Sequence, residues 1–231
     1  MMSEVSDIDK ENFCVAVFDV CDTLYFSNTT YDFVDFVVRN QEVKRSYLDS
    51  VLTSQYSPLR YLLIAMSVFT GWDYLRKFKI GMLKGYSRKE LDMLASEFVV
   101  QFLDNRKIDV THSLINEFKK RRKGRAILCS SSVEPVVAAV ARNLQVDDYV
   151  CTTLKFTDDV CNGSIDHDVN REKLEDLRMA GFDRRIELAV SDNLGDLALL
   201  KAANKSFAVV HSERKAKFWK KHQIESLNPN R

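Results

Sequence analysis

The sequence predicts an α/β protein: a doubly wound parallel sheet, interrupted after its first strand by an all-helical insertion. Three observations carry this. Phe13 to Val20 reads as a fully buried strand, an apolar run that an acid brings to its end. From about Ser27 to Lys123 everything has helical periodicity. After Gly124 the chain alternates between short apolar strands and helices, which is the pattern of βαβ units.

The elements follow in order. Residues 1–12 are acidic and polar, with no apolar leader, and are expected to be disordered. Residues 13–26 and 116–231 form the predicted core, and 27–115 the helical insertion. Within the insertion, Leu91, Leu94, Phe98 and Phe102 fall at helical spacing, and Ser87 with Glu90 makes a capping box before them. Shorter periodic segments lie at 31–39, 43–53, 58–70 and 73–84. Gly124 is expected to end a helix, "RAILC" to be a strand, and "SVEPVVAAVARN" a helix with Pro135 in its first turn and Ser132 as its cap. "DYVCTTLKF" is extended, and Asp158 to Ser164, containing Asn162-Gly163, predicts a hairpin turn. There follow a helix from about Arg171 to Ala180 closed by Gly181, a strand "IELAV", a helix "GDLALLKAA", a strand "FAVV" and a basic terminal helix.

Composition excludes several classes. The 231 residues are 45% hydrophobic and 29% charged, and 34 Lys plus Arg nearly cancel 33 Asp plus Glu, so neither a disordered chain nor a general polyanion binder is indicated. The basic stretch "ERKAKFWKKH" is too short a footprint to predict nucleic-acid binding. Five cysteines without CxxC spacing suit reduced thiols, and a cytoplasmic location is the expectation. Leu59 to Glu90 holds seven basic and two acidic residues around a charge-free run, Tyr61 to Trp72. That run is too short for a transmembrane segment, and leaves contact with an anionic lipid surface as a secondary expectation. The sequence carries no signal for an oligomeric state.

In a doubly wound sheet, ligands bind at the carboxyl ends of the strands. The polar residues that end the strands here are Asp19, then Ser130, Ser131 and Ser132, then Ser191, Asp192 and, four further on, Asp196. Such a set suits a hard divalent cation on oxygen ligands beside a bound phosphate.

These residues carry a resemblance. Phe18-Asp19-x-x-x-Thr23-Leu24, the strand-ending Ser130, Lys173 in "NREKLEDL" and Asp192-x-x-x-Asp196 resemble the four ordered motifs of the haloacid dehalogenase superfamily. "ILCSSSVEPVVAAVARNLQVDDYVCTTLKF" is similar to its phosphoserine-phosphatase-like branch, which has a Rossmann-like core and carries a helical cap where the insertion lies here. The resemblance implies magnesium-dependent hydrolysis of a small phosphorylated substrate through an aspartyl-phosphate on Asp19. It implies that Ser130, Ser131 and Lys173 bind phosphate. It implies that Asp19, the backbone carbonyl of Cys21, Asp192 and Asp196 hold Mg²⁺.

Cys21 departs from the pattern. Phosphatases of the superfamily carry an acid/base Asp at that catalytic position, and a thiol with a reference pKa of about 8.5 is a poor match. Alternation along an extended segment would turn Asp22 away from Asp19 and Cys21. Four readings are compatible with this. Two are a handicapped phosphatase and a phosphate-binding pseudoenzyme. A third is cleavage of a carbon-halogen or carbon-phosphorus bond, against which Asp192, Asp196 and the helical insertion argue. The fourth is redox control through the thiol, against which the expectation of a buried, inert Cys21 argues. Asn28 stands where enzymes acting on phosphoserine carry a Glu, which argues against that substrate.

Overall fold

A computed structural model describes residues 14–40, 73–121, 124–146, 148–169, 172–182 and 185–230. Expectations for residues 1–12, for the helices at 43–53 and 58–70, and for the run Tyr61 to Trp72 lie outside the described residues.

Strand β1 (Cys14–Phe18) is at the centre of a seven-stranded sheet. The helical stretch after it contains α1 (Thr29–Asn40), α2 (Tyr74–Gly81), α3 (Arg88–Phe98), a π turn over Val99–Leu103 and α4 (Asp109–Lys119). Every described helix or strand between β1 and β2 is helical. Then come β2 (Gly124–Val133), α5 (Glu134–Leu144), β3 (Asp148–Thr157), β4 (Val160–His167) and α6 (Lys173–Met179). The chain finishes with β5 (Ile186–Ser191), α7 (Leu197–Ala202), β6 (Lys205–Val209), α8 (Glu213–Lys221) and β7 (Glu225–Leu227).

The strand order is β4-β3-β2-β1-β5-β6-β7, parallel throughout except for the β3–β4 hairpin. Side chains alternate along β1, and each set has its own core. Ala16 and Phe18 pack with α1, α3, α4 and α5 through Phe33, Phe98, Phe118 and Val136. Val15 and Val17 pack on the opposite face with Leu177, Leu199 and Trp219. Both faces are thus covered, as a parallel sheet requires.

The predicted capping box on α3 is present, with Ser87 and Glu90 bonding reciprocally. Four local expectations need correction. Gly124 opens β2 rather than ending a helix; a Cβ there would lie 2.7 Å from the Phe118 carbonyl, so only glycine lets the strand start under α4. The strand β2 continues through all three serines, and α5 starts from Val133 without a side-chain cap, because the Ser132 hydroxyl is turned to Thr29 and Cys21. The hairpin turn is Asp158-Asp159, both in the left-handed region at φ 49 and 65, so Asn162-Gly163 lies inside β4. Strand β7 was not anticipated; its Glu-Ser-Leu has no apolar pattern, and pairing with β6 alone defines it.

Candidate active site

The C-terminal ends of β1, β2 and β5 converge on a cavity of about 390 Å³. Asp19 stands immediately after β1, its N–H donating to the Val190 carbonyl at 3.0 Å, which locks the loop to the neighbouring strand. Its Oδ1 accepts from the Val20 N–H at 2.7 Å and its Oδ2 is 3.0 Å from Lys173 Nζ. Lys173 opens α6 and also holds Asp196 Oδ2 at 2.7 Å, where the Ser191 hydroxyl donates as well, at 2.5 Å. Asp19 is 5% exposed, Lys173 and Asp196 2% each, so these charges have no solvent to fall back on.

The electrostatics follow from that burial. Loss of hydration lifts the Asp19 carboxyl to about 6; Lys173 opposes the rise, while Asp196 and Asp192 add to it. For Lys173 burial works toward a lower pKa, but the Asp19 and Asp196 carboxylates outweigh it and keep the ammonium protonated above its usual range. A buried cation beside a buried carboxylate at a strand end can stabilise negative charge transferred onto that carboxylate.

Asp192 lines the same cavity from the end of β5. Thr23 joins it to the first motif: the Asp192 N–H donates to Thr23 Oγ1 at 3.0 Å, and that hydroxyl donates to Asp192 Oδ1 at 3.4 Å. Lys215, on α8, donates to Asp192 Oδ2 at 2.6 Å and to its backbone carbonyl at 3.1 Å. Asp192 and Asp196 do not share a face of the cavity. Asp192 faces the space, and Asp196 is behind it, bound to Lys173 and Ser191.

The serines separate as well. The β2–β3 register shifts between Ser130 and Val133, and the bulge places Ser131 on the cavity wall. Ser130 is fully buried, its hydroxyl donating to Ser132 Oγ at 3.2 Å and accepting from the Ser132 N–H at 3.3 Å.

Cys21 borders the cavity, but its thiol is committed. Sγ is 2.9 Å from Thr29 Oγ1, 3.1 Å from Ser132 Oγ, and accepts from the Thr29 N–H at 3.3 Å. Burial pushes this thiol up to about 11, the Asp19 charge adding to it, so at neutral pH it is a neutral group. Asp22 is not carried away from the site. Its φ of 45 breaks the extended run, so alternation does not apply beyond Cys21, and Asp22 lines the cavity with its carboxyl raised by burial and by Asp192. The Asp22 carbonyl faces His211 Nε2.

The helical insertion supplies the opposite wall. Asn28 Oδ1 accepts from the Tyr31 N–H at 3.3 Å and so caps α1, while Tyr31 donates to Asp73, the cap of α2. Arg76 is buried and both its terminal nitrogens are engaged: Nη1 holds Asp168 at 2.8 and 2.9 Å, and Nη2 donates to the Ser131 carbonyl at 2.6 Å and to Thr152 Oγ1 at 2.9 Å. It ties α2 to the sheet at the site.

Sequence reasoning missed Thr29, Arg76 and Lys215. Thr29 follows the first motif within ten residues and was open to view; Arg76 and Lys215 sat among other basic residues, where only the fold distinguishes them.

Among the described residues no three His, Cys, Asp or Glu side chains form a ready metal cluster. The donor chemistry nevertheless fits a small hard cation that takes few carboxylates: Asp19 and Asp192 are buried oxygen donors on one cavity, close enough for one to raise the pKa of the other.

A family model for haloacid dehalogenase-like hydrolases matches residues 16–201. The chain belongs to that family. No curated protein matches it by sequence. Among solved structures, this haloacid dehalogenase-like hydrolase is similar to a protein of unknown function from Bordetella pertussis Tohama I, with a TM-score of 0.75 and 17% identity over 94% of this chain and 99% of that one. A phosphoserine phosphohydrolase-like protein from Francisella tularensis has a TM-score of 0.61 and 13% identity, covering 93% and 94%. A substrate-bound phosphoserine phosphatase has a TM-score of 0.56 and 14% identity, covering 93% and 92%. At these identities the likeness is one of fold. Among the described residues no helix is long and apolar enough to cross a membrane.

Proposed function

We propose that this hydrolase is a magnesium-dependent phosphatase acting on a small phosphorylated metabolite, with Asp19 as nucleophile. The carrying observation is the buried Asp19 carboxylate at a strand end, held by Lys173 and sharing its cavity with Asp192. An Asp19 oxygen attacks phosphorus, the ester P–O bond breaks, and the leaving oxygen takes up a proton from solvent water. Water then attacks the aspartyl-phosphate, the P–O bond to Asp19 breaks, and inorganic phosphate leaves with the carboxylate restored.

Lys173 neutralises charge on the transferring group from the buried side. Ser131 on the cavity wall, with Ser130 behind it, lies where phosphoryl oxygens would bind. Asp19, Asp192 and the Cys21 carbonyl would hold the cation, with Asp196 behind them orienting Lys173. Mg²⁺ bound there would supply charge neutralisation for phosphoryl oxygens. The helical insertion acts as a cap, its Tyr31, Asp73 and Arg76 enclosing the leaving group. A cavity of about 390 Å³ suits a metabolite rather than a phosphoprotein. Asn28, engaged in capping α1, offers no carboxylate to an amino group, which argues against phosphoserine.

Cys21 supports a second reading, a phosphate-binding pseudoenzyme. Its thiol is neutral and hydrogen-bonded, a poor acid and a poor base. A panel of phosphorylated metabolites with Mg²⁺, run on wild type, Asp19→Asn and Cys21→Asp, separates the two. Turnover by wild type that Asp19→Asn abolishes supports the phosphatase. No turnover until Cys21→Asp is introduced supports the pseudoenzyme.

A further inference from the structure

We infer that Lys215 is a built-in counter-ion for Asp192 and opposes divalent-cation binding in the free protein, so that metal binds strongly only together with a phosphate group. The inference rests on the phosphatase reading above, in which Asp192 is a metal ligand. Lys215 lies beyond residues 16–201, which the family model matches.

Four carboxylates, Asp19, Asp22, Asp73 and Asp192, line one cavity. Lys173 compensates Asp19 from the buried side and does not reach Asp192 by any ion pair of the described residues. Asp192 is 6% exposed, and a carboxylate that buried is costly without a cation. Lys215 supplies the cation twice over, its Nζ bonding both Asp192 Oδ2 and the Asp192 carbonyl, a pair of contacts that also fixes the side chain relative to its backbone. The lysine is not a flexible visitor. It sits at the third position of α8, where its own N–H bonds the Ser212 hydroxyl that caps the helix, and α8 packs on β7.

An ammonium on a ligand carboxylate opposes a dication in two ways. It takes one carboxylate oxygen, and it repels the incoming charge at short range. The repulsion weakens when a phosphate dianion arrives, because that anion adds charge of the sign the cation needs. Free cation therefore binds weakly, and cation with phosphate binds well, which is a coupling between two ligands set by one side chain.

The test is Mn²⁺ binding, followed by the electron-spin signal of free Mn²⁺, on wild type, Lys215→Met and Lys215→Arg without phosphate, then with inorganic phosphate. Lys215→Met is expected to bind Mn²⁺ about tenfold tighter or more than wild type without phosphate, and Lys215→Arg to stay within about threefold of wild type. Phosphate should tighten Mn²⁺ binding to wild type more than to Lys215→Met. In chelator, Lys215→Met should melt below wild type, with the gap closing as Mn²⁺ is added; Lys215→Gln repeats the comparison if the methionine variant folds poorly. Equal or weaker Mn²⁺ binding by Lys215→Met overturns the inference and leaves the phosphatase reading intact. No Mn²⁺ binding by any variant, with or without phosphate, overturns both.

Discussion

Cys21 is surrounded by groups that suit a carboxylate better than a thiol. The Thr29 N–H donates to it, and the hydroxyls of Thr29 and Ser132 are within 3.1 Å. Cys21→Asp should therefore fold with little loss and raise turnover by about 10² to 10⁴, the usual worth of a general acid or base. Steady-state kinetics with one active substrate measures it, and unchanged turnover in a folded variant would show that the thiol does not limit the rate. Asp19 makes a pH prediction. Its carboxyl rises from the ordinary range of about 3.9 in an unfolded chain to about 6 in the native protein. Between those values the native state holds more protons than the unfolded chain, so stability falls as pH rises through the window. Metal-free wild type should lose stability between about pH 4 and pH 6 more steeply than Asp19→Asn. Urea midpoints in chelator test this, and identical slopes would place the carboxyl in the ordinary range.

At the scale of elements, α2 meets β4 and the core at two points. Gly163, at φ 72, has the Gly81 carbonyl and the Lys84 Cβ each 2.9 Å from where a Cβ would stand. Gly163→Ala combines a strained backbone with a clash and should cost about 1–3 kcal/mol in denaturant unfolding. Arg76 is the second point. Arg76→Met removes four hydrogen bonds that join α2 to β2, β3 and Asp168, so amide exchange across α2 should quicken by about tenfold or more while β1 and β5 keep their protection. Equal exchange in both proteins would mean that apolar packing alone seats the helix. These contacts explain what the sequence conveyed and what it did not. Periodicity located α1, α2 and α3, because each buries one face against the sheet or its neighbour. Ser132 suggests a helix start because Ser is a common cap, whereas tertiary bonds from Thr29 and Arg76 hold that stretch extended. Turn chemistry alone points to Asn162-Gly163 for the hairpin, yet that glycine serves the close approach of α2, and two aspartates make the turn.

For the whole molecule, the strand order explains why motif order was informative. Asp19, the serines and Asp192 end β1, β2 and β5, three adjacent parallel strands, so residues far apart in sequence must meet at one rim. Lys173 and Asp196 were assigned by the same order, but their mutual bond, which puts Asp196 behind the site, needed coordinates. Lys215 was out of reach because it arrives from α8, after the last motif. The assembled site should respond as a unit. Mg²⁺ together with a trigonal fluoride mimic of phosphate should raise the melting temperature of wild type by several degrees and leave Asp19→Asn nearly unmoved, since ligands that bind only the native state stabilise it by mass action. Equal shifts in both proteins would remove Asp19 from the anion's contacts.

The central position of β1 also bears on how the chain is made. Its first motif leaves the ribosome before the strands it pairs with, and Thr23 finds its partner Asp192 only 169 residues later. Until β2 and β5 have been synthesised, the apolar Cys14–Phe18 segment has two open edges and neither neighbour. Nascent chains stopped before Ile186 should consequently be the ones that chaperones hold, and catalytic competence should appear only in a single late step, when β5 closes on the first strand.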